Sequence, residues 1–145
     1  MATVELSFSA RPAHVRTARQ IAVTLARRID LPEPVLDAVR LAVGEACGLV
    51  VALQQESRPD DPVVVTFDDS RGLSINVRGA VALEAAIGGR AIDVLAAAAA
   101  PVVDELPAEA SLAVVSELVP HLNVATSPAG VTVSMRWPAE ASAHA

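Results

Sequence analysis

The chain has 145 residues, a net charge of −6, 11 arginines and no lysine, one cysteine, and an apolar fraction of 52% in which only Phe8, Phe67 and Trp137 are aromatic. Such a length fits one domain with a sizeable core, here built from small aliphatic side chains. The acidic balance and the few aromatics argue against general nucleic-acid binding, a lone cysteine excludes an internal disulfide or a cysteine zinc cluster, and no apolar run reaches membrane-spanning length, so a soluble cytoplasmic protein is expected.

Val4 to Phe8 alternates apolar with polar and predicts a strand. Pro12 then suits the first turn of a helix, and Val15, Ala18, Ile21, Ala22, Leu25 and Ile29 form its apolar stripe. Arg16, Arg19 and Arg27 fall on the outward side. Five of the arginines lie in residues 1–29 against one acid, Glu5, while the remaining six face 16 acids. That asymmetry places a positive patch on an acidic body and suits an acidic protein partner. A solvated helix face using arginine in place of lysine gives the same pattern.

Residues Asp30 to Pro34 end this helix and open a second one reaching about Gln55, apolar on nearly every side from Leu41 onward. Within it Glu45 stands alone among apolar neighbours, and Cys47 reads as a buried structural thiol. Glu56 to Pro62 is a loop; Val63–Phe67 and Leu73–Val77 are strands joined through Asp68 to Gly72, with the glycine at positive φ. Residues 80–108 contain the Gly88-Gly89-Arg90 turn and an alanine-rich helix over 91–100. A short helix over Leu112–Leu118 precedes a closing hairpin of Leu122–Ala125 and Val131–Met135 around Ser127 to Gly130. Residues 139–145 read as a disordered tail to a single domain of residues 1–138. The element order predicts an α/β (α+β) two-layer sandwich with a mixed, mainly antiparallel sheet and helices on one face.

The run Leu41-Ala42-Val43-Gly44-Glu45-Ala46-Cys47-Gly48-Leu49 resembles the motif L-A-V-x-E-A-x-x-N of the anti-sigma regulatory factors, a serine-kinase branch of the histidine-kinase-like ATPase superfamily. By that resemblance Glu45 holds the position of the general base, and Leu49 replaces the asparagine that binds Mg²⁺. Leucine offers a hard cation no oxygen. Where the family has an aspartate that binds adenine, this chain has Gly79. Where the family's lid reads G-x-G-L, the helix opens Glu109-Ala110-Ser111-Leu112, with an acid facing the phosphates. Leu53 replaces a histidine or arginine one turn after the asparagine. Gly130-Val131-Thr132-Val133 resembles the closing G-T-x-V hairpin and makes Gly130 and Thr132 the candidate nucleotide contacts, although a strand threonine after a turn glycine is the preferred reading of Thr132.

The resemblance therefore implies a histidine-kinase-like ATPase fold with a degenerate nucleotide site, no cofactor, and ATP with Mg²⁺ disfavoured. The function it implies is an anti-sigma-factor-like regulator, homodimeric and a pseudokinase, that binds a sigma factor or an anti-sigma antagonist in transcriptional stress control. Arg11, Arg16 and Arg19 are its candidate partner contacts. An active serine kinase using Glu45, or a small-molecule sensor in the vacated cleft, are the alternatives.

Overall fold

Alternating valines and branched residues in the strands and an arginine-flanked apolar stripe in the first helix leave one way to bury both, helices laid on one face of a sheet. The computed structural model takes that form and describes residues 3–57, 60–80, 114–127 and 130–139. In chain order these give β1 (Thr3–Ser9), a 3₁₀ turn (Pro12–His14), α1 (Val15–Arg28), α2 (Glu33–Ser57), β2 (Pro62–Asp68), β3 (Leu73–Gly79), a helical turn at 114–118, β4 (His121–Ser127) and β5 (Gly130–Trp137). The strand order is β1-β2-β3-β5-β4, and every ladder among the described residues is antiparallel. Glycines 88–89, the alanine tract 91–100, the lid residues 109–112 and the tail 140–145 lie outside the described residues.

Register decides which side chains meet the helices. Phe8, Val63, Val65, Phe67, Ile75, Val77, Val133 and Met135 share the helix-covered face and are buried. The other face carries Thr66, Asn76, Arg78, Thr132 and Ser134, all partly or fully exposed, so the sandwich has two layers among the described residues. Trp137 is buried at one end of β5, where its indole Nε1–H donates to the Leu118 carbonyl at 3.1 Å and ties the 114–118 turn to the sheet.

Two features set the helix pair. Pro12 opens a 3₁₀ turn and the α-helix begins at Val15, three residues later than the proline suggests. At the other end of α1, Asp30 takes a φ of 57°, Leu31 N–H donates to Ala26 O and Asp30 N–H to Arg27 O, the paired bonds that close a helix through a left-handed residue. Buried Leu31 then turns the chain into α2. Leu41 is 48% exposed, while Ala42, Val43, Ala46, Cys47, Leu49, Val50, Val51, Leu53 and Gln54 beyond it are all buried. No helix among the described residues is long and apolar enough to cross a membrane.

Candidate functional site

Helical spacing puts Ala38, Ala42, Glu45 and Leu49 along one side of α2. Ala42 and Leu49 are buried, whereas Ala38 and Glu45 are half-buried. Partial exposure is how Glu45 keeps its carboxylate hydrated, since no ion pair reaches it among the described residues. Leu49, one turn on, is 6% exposed and presents only hydrocarbon beside the acid. Cys47, on another side of the helix, is fully buried; burial pushes its thiol up to about 12, against a smaller opposing effect of the Arg19 guanidinium.

Further along α2, Gln54 organises the end of the sheet and was not singled out by its sequence context. Its side chain is fully buried. The amide nitrogen donates to the carbonyls of Asp61 (2.8 Å) and Pro62 (3.3 Å), and the amide oxygen accepts from Ala80 N–H at 2.8 Å. One side chain thus joins α2 to the start of β2 and the end of β3. The signal in the sequence was an amide at the end of an otherwise apolar helical run. Gly79 lies under it: a Cβ there would stand 2.7 Å from Val50 Cγ1 and 2.9 Å from Gln54 Oε1. The place where a side chain at position 79 would begin is already filled.

Gly130 and Thr132 stand two residues apart on β5. A Cβ on Gly130 would sit 2.1 Å from the Gly79 carbonyl oxygen, and its φ is 151°, so the glycine is required where β5 starts against the end of β3. Thr132 pairs with Arg78 and Ala125 on the face of the sheet turned away from α2.

The arginines also divide. Arg16, Arg19, Arg27 and Arg40 line one surface depression of about 690 Å³ together with Val23 and Thr24, bridging α1 and α2. Arg11 lines a different one of about 540 Å³ with Ser9, Gln55 and Asp60. Arg19 lies across α2 where Gly44 leaves room, its Cδ 3.0 Å from the place a Cβ would take. Arg40 pairs with Asp37 at 3.0 Å, an exposed contact of small energetic weight. Arg27 and Arg40 join Arg16 and Arg19 through helix spacing and the α1–α2 packing. The first of these, arginines three and eight residues apart on one helix, was visible in the sequence; the second was not.

Residues 8–137 match the family described as histidine kinase-like ATPase domain. The chain belongs to that family. No curated protein matches it. A histidine kinase-like ATPase domain implies Mg²⁺ and ATP, and the described residues do not fit them. Leu49 puts buried hydrocarbon next to Glu45 where the cation would need an oxygen, and position 79 is closed by Val50 and Gln54. Gln54 offers no spare amide in exchange, because both ends of it are already engaged with backbone.

Proposed function

We propose that this histidine kinase-like ATPase domain is an anti-sigma-factor-like regulator that acts by holding a protein partner, a sigma factor or an anti-sigma antagonist, and transfers no phosphate. It works in the cytoplasm as a homodimer. The observation that carries the reading is the pair Glu45 and Leu49: the run from Leu41 to Leu49 follows the anti-sigma motif up to the metal-binding position, where a buried leucine stands. Phosphoryl transfer depends on positioning and on charge neutralised by the metal, so a base without a cation ligand has little to act on. Sequestration needs only a folded surface, and the four-arginine depression on α1 and α2 supplies one.

The half-buried Glu45 favours one competitor, an active serine kinase in which the acid still serves as base. The two are separated by purifying the chain with its captured partner from the native host and adding γ-labelled ATP with Mg²⁺. We expect a stoichiometric complex whose partner stays unlabelled over many hours. Label on a partner serine at a stoichiometry near one would establish the kinase instead.

A further inference from the structure

We infer that the depression lined by Ser9, Arg11, Gln55 and Asp60 is a binding site for a small amino-carboxylate zwitterion, its carboxylate held by Arg11 and its ammonium by Asp60. The inference goes beyond the regulator reading and does not rest on it. Both walls of the site are tied to the fold. Ser9 pairs with Pro62 across the β1–β2 ladder, which brings the chain leaving β1 beside the chain entering β2. On the first wall Ala10 is buried and its neighbours Ser9 and Arg11 are turned outward, with the Arg11 N–H on the Ser9 carbonyl at 2.7 Å where the chain enters the 3₁₀ turn. On the second, the buried Gln54 amide holds the carbonyls of Asp61 and Pro62, which fixes the chain next to Asp60, while Gln55, one residue along α2, is exposed.

Two opposite charges in one depression can close on each other, and these do not. Among the described residues neither the Arg11 guanidinium nor the Asp60 carboxylate takes part in an ion pair or a side-chain hydrogen bond. An anion alone would meet Asp60 and a cation alone would meet Arg11, so the arrangement selects a molecule that carries both charges. A planar guanidinium takes a carboxylate through paired N–H···O bonds. At the other end, α2 finishes with no basic residue in its last turn, so an ammonium beside Asp60 also complements the negative end of that helix.

The Ser9 hydroxyl and the Gln55 amide remain for the polar groups between or beside the ligand's charges. At about 540 Å³ the depression falls in the roughly 300–1,000 Å³ range of small-molecule sites. Because Arg11 and Asp60 are both exposed, each ion pair is screened by water and the affinity expected is about millimolar.

The test is a titration of isotope-labelled protein, followed through its backbone amide NMR shifts, with glycine, β-alanine and γ-aminobutyrate, whose charges stand at increasing separations. Acetate and methylammonium, each half of such a ligand, are titrated at the same ionic strength. At least one zwitterion should shift the amides of Ser9, Arg11, Gln55 and Asp60 and saturate at about millimolar concentration, with the half-ligands about tenfold weaker or worse. Arg11→Ala and Asp60→Ala should each weaken the best zwitterion about fivefold or more, while Arg136→Ala stays within about twofold. Arg11→Asp and Asp60→Arg should each abolish binding, and the two together should bring it back to within about fivefold of the parent, because a zwitterion can turn end for end. Circular dichroism checks that each variant is folded. No saturating shift at these residues with any of the three zwitterions, half-ligands that bind as tightly as the whole, or a charge-exchanged double variant no better than the single ones would each overturn the site.

Discussion

Gln54 shows how much of the local architecture one polar side chain carries. Its fully buried amide donates to two backbone carbonyls and accepts from one backbone N–H, so its loss leaves at least the Ala80 N–H without this acceptor. We expect Gln54→Leu, similar in size, to destabilise the fold by about 2–4 kcal/mol, measured by urea unfolding. A loss under 1 kcal/mol would mean that water or neighbouring groups take over the bonds. Gly79 is coupled to the same place. Gly79→Ala forces a methyl against Val50 Cγ1 and should cost about 1–3 kcal/mol, part of it recovered when Val50→Ala is added, a non-additivity that a double-mutant cycle reads directly. An aspartate therefore cannot be put back at position 79 by one substitution. Cys47 supplies a third check. With its thiol held at about 12 by burial, folded protein at pH 8 should present essentially no thiolate, and labelling by a maleimide should follow global unfolding; rapid labelling of native protein would place the side chain in a far more open setting.

At the scale of elements, α1 carries a charge arrangement that its own stability does not call for. Its first turn has no acid and bears Arg16 near the positive end of the helix dipole, while Arg27 and Arg28 in the last turn are favourably placed. Arg16→Glu should therefore stabilise the isolated chain by about 0.3–1 kcal/mol at low ionic strength, with the gain fading in high salt. A loss of stability would show that Arg16 is held by a structural contact. If the gain is found, the arginine stands there for something other than folding. The strands and both long helices were legible in the sequence because period-2 and period-3.6 patterns are local, as in Val63 to Phe67 and Val15 to Ile29, and the family's motif over Leu41 to Leu49 was local as well. What joins distant positions was not. The Gln54 bonds span from Asp61 to Ala80, Gly130 is set by the carbonyl of Gly79, and Arg40 reaches the depression only through the α1–α2 packing. Arg11 lines a different depression from Arg16 and Arg19, a separation that closeness in sequence does not show.

For the molecule as a whole, nucleotide binding reduces to a question of stability. A ligand that binds only the folded chain stabilises it by RT ln(1 + [L]/Kd), about 2.7 kcal/mol at a hundredfold excess over Kd. In a chain of this size that is a rise in Tm of more than about 5 °C, well outside the scatter of a thermal melt. Trp137 is the only tryptophan, it is buried, and its indole is hydrogen-bonded to Leu118, so its emission follows the loss of the native packing without a label. With millimolar ATP and Mg²⁺ we expect a shift of less than about 1 °C, because Leu49 gives the cation no oxygen and Val50 with Gln54 closes position 79. Leu49→Asn restores one oxygen and leaves the other obstruction in place. It should therefore remain unresponsive to nucleotide and lose roughly 1–3 kcal/mol through the buried amide. A rise of several degrees in the parent, dependent on Mg²⁺ and absent in Glu45→Ala, would show a working nucleotide site around the retained acid, and the regulator would then have to be rebuilt as a kinase.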